Sequence, residues 1–306
     1  MKVAVTGSHG LIGTALVERL TARGDEVIRL VRSAPSGPGE VRWDPAGGSV
    51  DLDGLEGVDG VVHLAGAGVG DRRWTAAYKR EIRDSRALGT RTLVRALTSL
   101  EAGPRVLVSG SAIGYYGDRG EEVLTETSAP GQGFLTGVVE VWEAEAVPAA
   151  DAGIRVVHPR FGLIMAPNGG AFKQLLLLAR LGLAGPMGNG RQWWSWITLH
   201  DTLNALELML DGPADGDGAP LSGPVNMVGP EPARNADVMK AVASALHRPA
   251  LVPAPAFALK AVLGEFAAEV LGSQRVVPDR LRDAGFQWEH DTLDKAAAWM
   301  TQRPGA

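Results

Sequence analysis

Hydroxyl groups at the end of one apolar run are the first residues of this chain that could do chemistry. Arg105 to Ser109 reads as a strand, and it leads into Ser109, Gly110, Ser111, Ala112, Ile113, Gly114, Tyr115, Tyr116 and Gly117. A serine or tyrosine at such a place can donate to a carbonyl oxygen and take part in moving its proton. Ser111 and Tyr116 are accordingly the catalytic candidates. The N-terminal stretch supplies a partner for that chemistry. Gly7, Gly10 and Gly13 follow the β-branched run Lys2 to Thr6 and open a helical pattern at Leu11, a spacing that brings backbone amides and a helix N-terminus up to a pyrophosphate. A second strand-like run, Glu26 to Val31, completes a βαβ unit, so Gly7, Ser8, His9, Gly10, Leu11, Ile12 and Gly13 are expected to hold a dinucleotide.

The tip of the second strand selects the dinucleotide. An acid there would accept from a ribose 2′-hydroxyl, but the tip reads Leu30, Val31, Arg32, Ser33, and the nearest acids, Asp25 and Glu26, precede the strand. Arg32 can pair bidentately with a 2′-phosphate and Ser33 can donate to it, which points to NADP(H). Asp44, after a short third run, either meets the adenine amine or is a plain loop carboxylate. Val58 to Leu64 is a buried-strand pattern ending in His63, Leu64, Ala65 and Gly66, small enough for backbone to lie against the cofactor. Ser109 and Arg160, at two later strand ends, are expected to complete its surroundings. Further on, Gly188 to Asp201 packs three tryptophans into four residues; Arg191, Trp193 and Trp194 could stack on a flat substrate or pack between lobes. His200 and Asp201 open the following helix, where Asp201 reads as a first-turn acid rather than half of a catalytic pair.

These residues need a scaffold, and the pattern supplies one. Strands and helices alternate through the first half, with long helical patterns at Trp74 to Leu100 and Phe134 to Ala150, which is the signature of an α/β, Rossmann-type, doubly wound parallel sheet. Residues 1–165, with returning segments at about 196–228, are expected to form this domain. Residues 166–195 and 229–306 then make a smaller, mostly helical substrate lobe, with helices at Ala171 to Leu183, Asn235 to Leu246, Phe257 to Leu271 and Thr292 to Met300, and a flexible stretch at Asp211 to Gly223. Across 306 residues the net charge is −5, so no basic field invites nucleic acid, and the absence of cysteine excludes disulfides, thiolate nucleophiles and zinc-thiolate sites. No metal site is expected. No apolar run approaches a membrane span and no secretory h-region opens the chain, which fits a cytoplasmic location.

Together, Thr6-Gly7-x-x-Gly10-x-x-Gly13, the His63–Gly66 segment and the serine-bearing strand end running into Tyr-Tyr-Gly resemble the extended short-chain dehydrogenase/reductases, which include NAD(P)-dependent nucleotide-sugar epimerases and dehydratases. More narrowly, the chain resembles the atypical epimerase family proteins of the SDR39U and YfcH type with a C-terminal DUF1731 segment. Arg73-Trp74, Asp84-Ser85-Arg86, Arg160-Phe-Gly162, Gly190-Arg-Gln-Trp193, Gly223-Pro-Val-Asn226, Arg248-Pro249 and Val277-Pro278 carry that likeness. The resemblance implies NADP(H) and a small-molecule substrate, a nucleotide sugar among the candidates, in a monomer or homodimer. It also implies a tyrosine four residues before a lysine, and here the sequence departs. The three tyrosines, Tyr78, Tyr115 and Tyr116, are followed four residues on by Ile82, Arg119 and Gly120, and the place for the motif carries Phe134 and Val138. Either Tyr116, Tyr115 or Glu140 replaces the tyrosine in an NADP(H)-dependent oxidoreductase or epimerase, or the chain is a non-catalytic NADPH-binding sensor or interaction module.

Overall fold

The computed structural model describes residues 1–167, 169–170, 172–212 and 219–302. The first half alternates as the sequence suggests: β1 (Lys2–Thr6), α1 (Leu11–Arg23), β2 (Glu26–Val31), β3 (Glu40–Asp44), β4 (Gly60–His63), α2 (Ala76–Ser99), β5 (Val106–Ser109), α3 (Phe134–Ala144) and β6 (Arg155–Phe161). After α4 (Phe172–Arg180) and α5 (Leu199–Asp211), β7 (Gly223–Met227) completes the sheet. The order across it is β7-β6-β5-β4-β1-β2-β3, every neighbour parallel, with Ser49–Val50 antiparallel on the outer edge of β3. The chain thus winds outward from β1 through β3, then returns to place β4 against the other side of β1. That reversal opens a crevice beyond the carboxyl ends of β1 and β4.

Burial explains why the strands are apolar runs rather than alternating ones. Val3 and Val5 of β1 face Leu16 and Leu20 of α1 and Leu206 and Met209 of α5, while Ala4 between them faces the layer that holds Leu93, Val94 and Leu97 of α2. Both faces of the sheet are covered, so both sets of side chains are hydrophobic. A third cluster lies apart from these. Phe172, Leu175 and Leu176 of α4 pack with Trp194, Trp196, Val238, Val242 and Met300, joining the middle of the chain to its last helices. Among the described residues no helix is long and apolar enough to cross a membrane.

Several boundaries differ from the periodicity-based expectation, each for a local reason. The long pattern at Phe134 to Ala150 stops at Ala144, and a separate short helix, Val147–Asp151, starts with Pro148 in its first turn, a residue with no N–H to continue the earlier ladder. The pattern at Phe257 to Leu271 breaks at Gly264, whose φ of 63° ends one helix before a second begins at Ala267. In α2 the Thr75 side chain accepts from the Tyr78 amide and fixes the start. Of the expected helix Ala171 to Leu183, Phe172–Arg180 is helical and Ala171 lies outside the described residues. Within the stretch Asp211 to Gly223, residues 213–218 also lie outside them.

Candidate functional site

At the crevice the chain brings two turns of backbone together. Gly7 has a φ of 67°, and a Cβ there would stand 2.7 Å from the Leu64 carbonyl carbon. A Cβ on Gly13 would overlap the Gly7 carbonyl oxygen. Only glycine allows this approach. The Thr6 hydroxyl, under the turn, accepts from the amides of Leu64 (3.0 Å) and Ala65 (3.1 Å). Its single proton therefore goes to His63 Nδ1 at 2.7 Å, which leaves Nε2 to donate to Thr90 Oγ1 at 3.0 Å. His63 is buried, and desolvation, with the Arg86 charge adding, pushes its pKa down to about 4. It is a neutral strut. Helix α1 starts at Gly10 with no side-chain cap and no acid in its first turn, so its N-terminal partial charge faces the crevice uncompensated. Ser8 is buried in the turn and His9 and Gly10 are exposed on it, with Leu11 and Ile12 half-buried behind. Beyond β2, Arg32 and Ser33 are exposed. Asp44 closes a turn, accepting from the amides of Ala46 (3.1 Å) and Gly47 (2.8 Å), so its carboxylate has a loop-forming use.

A second assembly stands beyond β5. Two residues, Ser111–Ala112, continue the pairing with β6 and set Ser111 opposite Arg160. Ser111 Oγ donates to Glu143 Oε1 at 2.6 Å. Arg160 grips the same carboxylate with both arms, Nε to Oε1 at 2.8 Å and Nη2 to Oε2 at 2.9 Å, and donates from Nη1 to the Tyr116 hydroxyl at 3.0 Å. Tyr116 passes its own proton to Asn226 Oδ1 at 2.7 Å, and the guanidinium lies 3.6 Å over the Tyr115 ring. Ser111, Tyr116 and Arg160 are 1%, 0% and 3% exposed.

Electrostatics then separate the roles. Burial would raise the Glu143 carboxyl, but the Arg160 hydrogen bonds and charge and the Ser111 hydroxyl outweigh it, and the group is held below the usual carboxylate range. Burial pushes the Tyr116 phenol up to about 12 although Arg160 and Asn226 pull it down. At neutral pH the assembly therefore contains an ionised carboxylate touching a serine, and a phenol that keeps its proton. Glu143 was not among the residues singled out from sequence; Glu140, which was, is exposed on the same helix. The signal was present, because Thr136, Val139 and Glu143 recur at helical spacing on the buried side of α3, and a carboxylate in an apolar stripe is out of place. Arg160, expected at the cofactor, has its donors on Glu143 and Tyr116. Ser109 is buried at the end of β5, and its hydroxyl has no hydrogen-bond partner among the described residues.

A cavity of about 450 Å³ has Trp74, Lys79, Phe134, Asp118, Glu269 and Gln274 among its walls and reaches Gly114 and Gly117, on either side of Tyr115 and Tyr116, though Ser111, Tyr116, Glu143 and Arg160 do not line it. Lys79 pairs with Glu265 at 2.6 Å. Burial raises the Glu269 carboxyl and the Asp118 charge adds to it. Arg191, Trp193 and Trp194 do not line this cavity. Trp193 lies between the guanidiniums of Arg234 (3.9 Å) and Arg275 (4.6 Å) and donates to Glu121, while Trp194, 7% exposed, packs edge-on against Phe172. Arg191 is exposed. Trp194 and Trp196 thus belong to the cluster of the C-terminal lobe, while Trp193 is half-buried and reaches Glu121. Asp201 is the first-turn acid of α5, and Thr198 is its cap: the Thr198 hydroxyl accepts from the Asp201 amide and donates to the Asp201 carboxylate, which also accepts from the amides of Glu289 and His290. Among the described residues no cluster of ligating side chains could hold a metal ion.

Residues 3–221 match the NAD dependent epimerase/dehydratase family, and residues 254–300 match a domain of unknown function, DUF1731. The epimerase family protein of Mycobacterium bovis is 41% identical over 304 residues, covering 99% of this chain and 98% of that protein. The crystal structure of human epimerase family protein SDR39U1 with NADPH superposes with a TM-score of 0.89 at 34% identity, over 98% of this chain and 99% of the other. A nucleoside-diphosphate sugar epimerase from Corynebacterium glutamicum gives 0.79 at 35% identity, over 98% of this chain and 58% of its own. The likeness read from the sequence motifs, DUF1731 segment included, holds, and so does the Rossmann-type fold.

Proposed function

This chain belongs to the NAD dependent epimerase/dehydratase family, and on that premise we propose that it binds NADP(H) and oxidises or reduces a small-molecule carbonyl or alcohol, nucleotide sugars being one candidate class. The glycine turn, Leu64, Ala65 and Gly66 would hold the dinucleotide, with Arg32 and Ser33 at the 2′-phosphate; the NADPH in the human relative's structure supports this choice. Bound there, the nicotinamide supplies a hydride acceptor or donor. Residues 1–165 with 196–228 are the cofactor domain of this reading, and 166–195 with 229–306 the substrate lobe.

The observation that carries the catalytic reading is the 2.6 Å bond from Ser111 to an ionised Glu143. In the oxidising direction the substrate hydroxyl gives its proton to Ser111 Oγ as Ser111 gives its own to Glu143, so the pair does what the absent tyrosine would do. Arg160 holds the carboxylate in line, and Tyr116, expected from sequence as a second catalytic group, acts instead as a brace between Arg160 and Asn226. The non-catalytic reading draws on Phe134, which puts an unreactive ring where the motif tyrosine is expected.

Titration of NADPH and NADH by fluorescence into wild-type protein and Arg32→Ala, followed by a carbonyl and nucleotide-sugar screen, tests both. Preferential NADPH binding lost in Arg32→Ala, with turnover abolished in Ser111→Ala and Glu143→Gln, is the expected result. Tight NADPH binding with turnover on nothing in the screen favours the sensor, and turnover that survives both substitutions removes the Ser111–Glu143 role.

A further inference from the structure

The 450 Å³ cavity carries charge of one sign that the chemistry above leaves unused. Its walls come from both lobes. Trp74, Lys79 and Phe134 stand on one side, by the N-terminal ends of α2 and α3, and Glu265, Glu269 and Gln274 of the C-terminal lobe on the other. The volume suits a small organic molecule, and aromatic rings with a few convergent polar groups are the usual lining of such a site. Thr136 fixes part of the wall by donating to the Gly114 carbonyl at 3.1 Å, three residues beyond Ser111.

Among the described residues that line it, Lys79 is the one cation, and it is already engaged. Its Nζ bonds Glu265 at 2.6 Å and lies 4.9 Å over the Phe134 ring and 5.9 Å over Trp74. Three carboxylates share the same walls, Asp118, Glu265 and Glu269. Asp118 accepts from the amides of Gly120 and Ser273, each at 3.2 Å, which bring no full charge. Glu269 forms no ion pair among the described residues, and burial and the Asp118 charge both raise its carboxyl. A phosphate entering here would add negative charge to walls with no free cation to meet it. An ammonium would be met by Asp118 and Glu269 and, as Lys79 already shows, by the aromatic faces. Resting on the redox reading above, we propose that this cavity receives the substrate, and that the substrate is a small amine-bearing alcohol or carbonyl compound without phosphate. Its ammonium group meets Asp118 and Glu269, and its carbon frame lies against Trp74 and Phe134. Nucleotide sugars then leave the candidate classes, because their diphosphate would face carboxylates.

Probes that share one ring and differ in charge give the test. Benzylamine, benzyl alcohol and benzyl phosphate are titrated by saturation-transfer NMR into the full-length protein, with and without NADPH, and UDP-glucose is added as a competitor. Benzylamine should bind most tightly and benzyl alcohol more weakly, while benzyl phosphate and UDP-glucose should not displace benzylamine. Glu269→Gln should weaken benzylamine by about fivefold, the worth of one half-exposed charge, and leave benzyl alcohol unchanged. Glu269→Lys should reverse the order of benzylamine and benzyl phosphate. Glu140→Gln, which removes an exposed acid of α3 outside the cavity, should change nothing. An equal loss in Glu140→Gln would trace the preference to the chain's net charge of −5 and overturn the assignment. So would displacement of benzylamine by either phosphate compound, binding of none of the probes, or no response to Glu269→Gln. Should Glu269→Lys unfold, Glu269→Gln against Glu140→Gln decides alone. All of these failures leave NADPH binding untouched, whereas a wild-type protein that prefers benzylamine but binds no NADPH overturns the redox reading and the substrate role with it.

Discussion

At the crevice between β1 and β4 the chain works with backbone: Gly7 against Leu64, Gly13 against Gly7, and one threonine hydroxyl holding two amides. At the wall beyond β5 it works with side chains, and Ser111, Glu143, Arg160, Tyr116 and Asn226 each hold the next. The two regions should therefore fail in opposite ways. Added atoms disturb a surface made of close backbone approaches, whereas an assembly of paired polar groups is disturbed by atoms removed.

The sharpest way to break this contrast is Glu143→Ala. It leaves the Arg160 cation buried without its anion, and should cost about 3 to 5 kcal/mol in a denaturant titration. A loss below about 1 kcal/mol would mean that the wall is not held by its ion pair. Acid separates the two regions next. His63, under the crevice, has a folded pKa of about 4 against about 6.5 unfolded. The unfolded chain takes up this proton first, so about 3 kcal/mol of stability should drain as pH falls from about 6.5 to 4. Glu143 is depressed as a carboxylate, so its contribution is present above the ordinary carboxylate pKa and is lost only as pH falls through its lower folded value. His63→Gln should flatten the upper window alone, and Glu143→Gln the lower one; a single shared window for both would erase the distinction. Gly13→Ala should cost about 1 to 3 kcal/mol and abolish dinucleotide binding, because the new methyl meets a carbonyl. Smallest of all, Glu121→Ala releases an exposed carboxylate from Arg234 and Trp193 and should leave the denaturation midpoint where it was.

How far each region could be read from sequence follows from the same contrast. The crevice is written in spacing: three glycines, a strand on either side and a small-residue turn, all within the first 66 residues. The expectation of NADP(H) rests on the residues that follow β2, again a local matter. The wall is not local. Ser111 meets Arg160 only because β5 and β6 pair in one register, and Tyr116 meets Asn226 only because β7 lies outside β6, so no short stretch reveals the set. Glu143 offered a hint as a lone acid in an apolar stripe, but its two partners could not be named. The tryptophans fared similarly, since the groups that Trp193 touches, Arg234, Arg275 and Glu121, lie far off in sequence. Helix ends were misplaced where a single proline or glycine, Pro148 or Gly264, outweighed a continuing apolar period.

The place of β7 at the end of the sheet also sets a schedule for the newborn chain. The glycine turn and the strand ends that line the crevice have left the ribosome once Gly66 has emerged, whereas Asn226 follows much later. Between the appearance of β6 and that of β7 the nascent sheet ends in an unpaired strand for roughly 3 to 13 seconds at ordinary rates of synthesis. Such an edge can recruit another chain. The exposure of that edge is thus a property of the growing chain, which the finished sheet no longer has.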